Sequence, residues 1–184
     1  HSSIEKVGEI QEIHTLSDYE GCPAAQIFTK PPMQVSSISK RKEKVQALRP
    51  LLDNTLLFVH SSYLINYIRP NIDTSLISVV DDILFLDEVI PDQNKSHTGV
   101  VIHLGKNVEH LSLEQCIQNF TENVREVLEQ TYEQKVRLIL ETSTRSKNGN
   151  DVFWDIKVFG MLCQNLKQVL GEEVYNTRIG FCID

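Results

Sequence analysis

Four short apolar runs in this chain each stop on a histidine or a carboxylate, at nearly constant spacing. His60 ends Leu56-Leu57-Phe58-Val59, and His103 ends Val100-Val101-Ile102. Glu141 ends Leu138-Ile139-Leu140, and Asp184 ends Gly180-Phe181-Cys182-Ile183. The interval is about 40 residues each time, roughly one strand-plus-helix unit. The runs are continuously apolar rather than alternating, as expected of parallel strands covered on both faces. Strands are therefore predicted at Ala24–Phe28, Leu56–Val59, Val100–Ile102, Val136–Leu140 and Ile179–Ile183.

The segments between them carry helical spacing. Ile4, Val7, Ile10, Ile13 and Leu16 recur every third residue, and Leu76, Val79, Val80, Ile83, Leu84 and Phe85 cluster similarly. Ser112 with Gln115 reads as a capping box before Ile117, Phe120, Val124, Val127 and Leu128. A further helix is predicted over Val152–Leu170, with Gly171 at its C-terminal cap. Repeated βα units leave two architectures, a doubly wound open sheet or a TIM barrel. In a barrel the C-terminal strand ends converge on one rim, where catalysis sits, whereas an open sheet spreads them along an edge. Four polar ends in register favour the barrel.

Composition is consistent with this. Of 184 residues, 41% are apolar and 23% charged, enough to bury a core and too apolar for disorder. No run approaches the roughly 18 apolar residues of a membrane span, and no signal peptide is evident. The four cysteines are scattered without a Cys-x-x-Cys pair, which fits reduced thiols in an intracellular compartment, cytoplasm or nucleus. The balance of 18 basic to 25 acidic residues, a net charge of −7, by itself argues mildly against a nucleic-acid partner.

Two neutral imidazoles and two carboxylates suit zinc, and are tolerable for manganese or iron. Taken singly, a histidine after a strand is usually a hydrogen-bonded loop residue, and a carboxylate there a helix N-cap. Four at one repeat interval form a candidate metal site: His60, His103, Glu141 and Asp184. His97 and His110 lack this pattern and read as surface residues.

At these same residues the chain resembles the endonuclease IV family of apurinic/apyrimidinic (AP) endonucleases. His60-Ser61-Ser62-Tyr63-Leu64-Ile65-Asn66 is similar to the family's His-x-Ser-Tyr-Leu-Ile-Asn signature. Phe28-Thr29-Lys30 matches its Phe-Thr-Lys, and Val101-Ile102-His103-Leu104-Gly105 its His-x-Gly strand end. Leu140-Glu141-Thr142 resembles the glutamate strand, and Ile179–Asp184 the Gly-x-Cys-x-Asp-Thr-x-His stretch up to the Asp. His1-x-Ser3 is similar to the His-x-Ser after the first strand.

The resemblance implies a (β/α)8 TIM barrel of the xylose-isomerase-like type, of which residues 1–184 supply about six βα units as one incomplete domain. It implies zinc-dependent hydrolysis of the phosphodiester 5′ to an abasic site in duplex DNA, leaving a 3′-hydroxyl, as part of base excision repair. Family members bind three zinc ions and are usually monomers. By motif His60, His103 and Glu141 bind one zinc, and Glu141 bridges to a second with Asp184. About one full site and half of a second are supplied here, and Glu141 is the central catalytic ligand. Tyr63 and Leu64 match residues that enter the duplex at the lesion, where stacking is already missing and extrusion costs less.

Where many members carry a DNA-probing arginine this chain has Met33, in Pro31-Pro32-Met33-Gln34, and a methionine can still wedge into a duplex. The loop after the glutamate is more basic than the family's Gly-rich version, and Arg145 is its DNA-binding candidate. Rim loops are expected to offer Lys30, Lys40, Arg41, Lys42, Arg69, Lys106, Arg145 and Lys147 to phosphates, so that DNA binding weakens with salt. Two other readings remain: a sugar isomerase or epimerase of the same barrel type, and a non-catalytic barrel fragment.

Overall fold

Among the described residues six strands form one sheet in sequential order, and every neighbouring pair is parallel. They are β1 (Ser2–Ser3), β2 (Ala24–Phe28), β3 (Leu56–His60), β4 (Gly99–His103), β5 (Arg137–Glu141) and β6 (Ile179–Cys182). The computed structural model describes residues 2–3, 24–52, 56–145, 147 and 149–183. His1, the helix expected over Ile4–Leu16, Cys22 and Asp184 lie outside them. A doubly wound sheet would reverse its strand order at a switch point. This order runs straight from β1 to β6, so the fold is a partial TIM barrel, as expected.

The helices are α1 (Arg41–Leu48), α2 (Asp73–Val89), α3 (Leu113–Gln130), α4 (Ile156–Leu170) and α5 (Glu172–Arg178). Among the described residues none is long and apolar enough to cross a membrane. The capping box forms as read: Gln115 N–H donates to Ser112 Oγ at 3.2 Å, and Ser112 N–H to Gln115 Oε1 at 2.9 Å. The helix predicted from Val152 begins only at Ile156. Asp155 caps it, its Oδ1 accepting from Lys157 N–H at 2.8 Å, while Phe153 turns into the core. Two helices escaped the sequence reading. α1 buries only Leu48, and α5 only Arg178, so neither shows an apolar period.

Leu57, Val59, Val100, Ile102, Leu138 and Leu140 pack with the helices in one core cluster. Side chains alternate along a strand. The opposite, interior face therefore receives Phe58 and His60, Val101 and His103, and Ile139 and Glu141. Gly99 makes room there: a Cβ on it would lie 2.6 Å from Ile139 Cδ1 and 2.7 Å from the Arg137 carbonyl.

A second buried cluster ties β2 to α2. Lys30 follows β2 and is 5% exposed. Its Nζ lies 3.1 Å from Asp82 Oδ1, 2.7 Å from Ser78 Oγ and 3.0 Å from the Ser36 carbonyl. Thr29 Oγ1 donates to the same Asp82 oxygen. Burial raises the Asp82 carboxyl to about 6, with Lys30 and Thr29 pulling against it. Asp81 on the same helix accepts from Ile38 N–H at 2.6 Å and pairs with Arg41 at 2.7 Å. One face of α2 thus holds the loop between β2 and α1 from beneath.

Candidate metal centre

Glu141 and His103 are direct register partners on β5 and β4, while His60 pairs with Val101, two residues earlier on β4. Despite that stagger the three side chains meet. His60 Nε2 and His103 Nε2 each lie 3.1 Å from Glu141 Oε2. One ligand atom from each residue falls within 4.8 Å of the others. His60 is buried, Glu141 half-buried and His103 exposed, so the group opens towards solvent on one side.

Proton accounting tests whether a metal fits. His60 Nδ1 sits 2.8 Å from the Ser61 carbonyl, which can only accept. The ring must therefore donate from Nδ1, and in its neutral form it turns the lone pair of Nε2 towards Glu141 Oε2. Two lone pairs facing at 3.1 Å repel unless a proton or a cation lies between them. A carbonyl fixing the far nitrogen is the arrangement that orients metal-binding histidines. With a second imidazole aimed at the same oxygen, the donor set N, N, O fits zinc.

An aromatic shell holds the trio. The His60 and His103 rings meet edge to face at 5.0 Å. Tyr63 stacks on His103 at 4.8 Å and touches His60 and Phe28 edge-on. Burial, and then the Glu141 charge, raise the Tyr63 hydroxyl above its usual value, so it remains a neutral donor.

The neighbouring loops are stitched together. Tyr63 N–H and Ser62 Oγ both donate to the Pro32 carbonyl, at 2.9 and 3.1 Å. This brings exposed Met33 onto the same rim as exposed Tyr63 and Leu64, with Gln34 exposed beside Met33 in a turn closed on Pro31. Asn66 joins the next pair of loops. Its Nδ2 donates to the Lys106 carbonyl at 2.7 Å, and its Oδ1 accepts from Lys106 N–H at 3.1 Å. Lys106 in turn bridges to Asp151 of the β5 loop. A cleft of about 470 Å³ opens between these loops, lined by Tyr63, Leu64, Asn66, His103, Glu141 and Thr142 among others.

The Asn66 clamp was not recognised as a device in the sequence, although Asn66 ends the His60–Asn66 motif and Gly105 follows a strand end. Gly105 has a φ of +95°, and a Cβ there would lie 2.2 Å from Asn66 Oδ1. Gly105→Ala is expected to cost about 1–3 kcal/mol through backbone strain alone, and to weaken metal binding by displacing the His103 loop. Urea unfolding and zinc titration of the variant read the two effects, and unchanged values in both would refute the clamp.

Several expected rim cations are placed elsewhere. Lys30 belongs to the buried α2 cluster, because its amine finds four oxygen partners there, and it offers no donor to a phosphate. Arg41 is paired with Asp81 and Glu88, and Arg69 with Glu109. Lys40, Lys42, Lys106, Arg145 and Lys147 remain exposed. His97 and His110 are exposed, as the sequence suggested. Asp184 is not among the described residues.

No family model matches the chain. Curated relatives do. It is 24% identical over 153 residues to "Probable endonuclease 4" of Campylobacter hominis, covering 83% of this chain and 49% of the relative. It is 27% identical over 160 residues to "Apurinic-apyrimidinic endonuclease 1" of Plasmodium berghei, covering 85% and 28%. It is 24% identical over 192 residues to "Probable endonuclease 4" of Phocaeicola vulgatus, covering 100% and 62%. The chain thus spans between about a quarter and three-fifths of these relatives.

Among solved structures, "Crystal structure of D-tagatose 3-epimerase-like protein" matches with a TM-score of 0.64 at 15% identity, over 100% of this chain and 64% of that one. "The crystal structure of AsfvAP:AG" matches with a TM-score of 0.54 at 19% identity, over 88% and 47%. These two share the fold. In sequence, this chain's resemblance is to the endonuclease IV family of AP endonucleases.

Proposed function

We propose that the chain carries the metal centre of a DNA-repair endonuclease that cuts duplex DNA 5′ to an abasic site and leaves a 3′-hydroxyl. The observation that carries the reading is the exposed ridge of Met33, Tyr63 and Leu64 directly beside the His60–His103–Glu141 trio. Exposed apolar side chains next to a polar centre cost solvation in a site for a small sugar. They suit a duplex whose stack is already broken. The names of the relatives support the same reading.

In this proposal His60 Nε2, His103 Nε2 and Glu141 would hold zinc, with Asp184 joining by its motif. When bound, the metal supplies Lewis acidity and offsets charge on the attacking and leaving oxygens of the phosphodiester. The chain's own residues do the rest. The Ser61 carbonyl fixes the His60 tautomer, and Tyr63 holds the His103 ring by stacking. Asn66 fixes the loop that follows His103. Tyr63, Leu64 and Met33 fill the gap left by the missing base, and exposed Lys40, Lys42, Lys106 and Lys147 neutralise flanking phosphates. The complete enzyme would hold three zincs and act as a monomer.

A zinc-loaded preparation is expected to nick a duplex bearing one abasic site, leave a paired control intact and lose activity in chelator. The second reading is a barrel sugar epimerase, favoured by the fold likeness to the epimerase-like protein and by the cleft beside the trio. Turnover of a ketose with an intact abasic duplex would select it.

A further inference from the structure

We propose that Trp154 and Arg145 form a stacking platform for an unpaired stretch of DNA strand, separate from the Tyr63–Leu64 ridge. The proposal rests on the nucleic-acid reading above and deepens it. Both residues lie on the loop that follows Glu141. The Arg145 guanidinium sits 5.0 Å from the Trp154 ring centroid, and both side chains are exposed.

The exposure is built rather than incidental. Phe153, the preceding residue, is 2% exposed and packs edge-to-face on Phe120 at 5.7 Å. Asp155, the following residue, caps α4 through Lys157 N–H. Asp151 is buried and bridged to Lys106, and Asn107 N–H donates to the Asn150 carbonyl at 2.8 Å. The backbone that carries the indole is thus anchored on both sides, and the side chain is 43% exposed. Burying a tryptophan is among the most favourable packing contacts available to a loop, and this loop leaves a large part of that contact unmade.

The chemistry selects the occupant. A guanidinium over an indole face places a cation beside an exposed π surface. Base faces stack on aromatic rings and on arginine planes, and the cation meets the adjoining phosphate. A fully paired duplex hides its base faces, so the platform favours unpaired nucleotides. Thr142, Thr144 and Asp151 of the same loop line the cleft with Glu141 and His103. Arg145 directly follows Thr144 in the chain, so the platform continues the loop that lines the cleft. Lys147 is exposed on the same loop and adds charge of the required sign.

The chain contains a single tryptophan, so its fluorescence reports this position alone. The test titrates the zinc-loaded protein with a fluorescein-labelled dT 10-mer, reading label anisotropy and tryptophan emission together. Anisotropy is expected to rise while emission falls about twofold. Trp154→Ala, with unchanged far-UV dichroism, is expected to weaken binding about tenfold, the loss of one stacked base. Arg145→Met, which keeps the indole, is expected to weaken it in the same direction. A rise in anisotropy with constant emission overturns the platform and leaves the nucleic-acid reading intact. No binding of the 10-mer while abasic duplex is still nicked overturns it equally. Absence of both binding and nicking removes the functional reading, and the platform with it.

Discussion

Glu141→Gln is expected to abolish tight zinc binding and, with it, nicking of abasic duplex. One carboxylate oxygen, Oε2, stands 3.1 Å from both imidazole nitrogens, so the whole donor set converges on it. Glutamine preserves the shape and removes the charge. Its amide must also turn either its oxygen or its NH₂ to that point, and an NH₂ there repels a cation. Losing a partner outside the coordination sphere typically costs about 10–100-fold in metal affinity. Losing the shared ligand should cost more than that. Competition against a chromophoric chelator measures the affinity, and an abasic-duplex assay the activity. His103→Asn should act in the same direction. His103 is exposed and Glu141 half-buried, so the metal-free variants should melt close to the parent. Undiminished zinc affinity in Glu141→Gln would show that the trio is a hydrogen-bonded group and no metal site.

Lys30→Met is expected to produce the largest loss of stability. Methionine fills much of the same space, so the effect isolates the charge. Breaking a buried pair by removing one partner costs about 3–5 kcal/mol, because the other charge stays behind unpaired. Here the remaining charge is Asp82, fully buried, with Oδ2 already lacking a hydrogen-bond partner among the described residues. The loss should depend on pH in a defined direction. In the parent the folded-state value of Asp82 is raised to about 6, against 3.8 in an unfolded chain. A raised carboxyl contributes stability below the unfolded value and loses it as pH rises through the folded one. Without Lys30, among the described residues the Thr29 hydroxyl alone opposes burial, and the folded value moves higher still. Parent and variant should therefore lie closest near pH 4 and diverge progressively above pH 6. Denaturant unfolding at pH 4.5 and 8 checks this, and a gap that closes on raising the pH would refute it. The damage should also reach the rim, because Lys30 holds the Ser36 carbonyl within the loop that carries Pro32 and Met33.

The strands and the amphipathic helices were legible because their signals are local. Val100, Ile102, Leu138 and Leu140 write a buried sheet directly into the chain. The capping box at Ser112 and Gln115 is contained in four residues. The helices α1 and α5 were not legible, because neither carries an apolar stripe. α5 is instead held by Arg178, which donates to the Val136 and Thr131 carbonyls. The start of α4 is hidden in the sequence because Val152 and Phe153 continue its apolar pattern, whereas the Asp155 cap begins the helix at Ile156.

The site divides in the same way. Sequence alone determined that His60, His103 and Glu141 end successive parallel strands, since strand period and repeat length place them there without reference to anything distant. Tertiary structure decided the rest. Despite the stagger between His60 and His103, the fold sets both against one oxygen of Glu141. Position along the chain cannot reveal whether a lysine after a strand turns outwards to a phosphate or inwards to an aspartate 52 residues away. Lys30 turns inwards because Asp82, Ser78 and Ser36 offer its amine four oxygen partners beneath the loop. An exposed lysine on the rim would have had only water and the screened field of its neighbours.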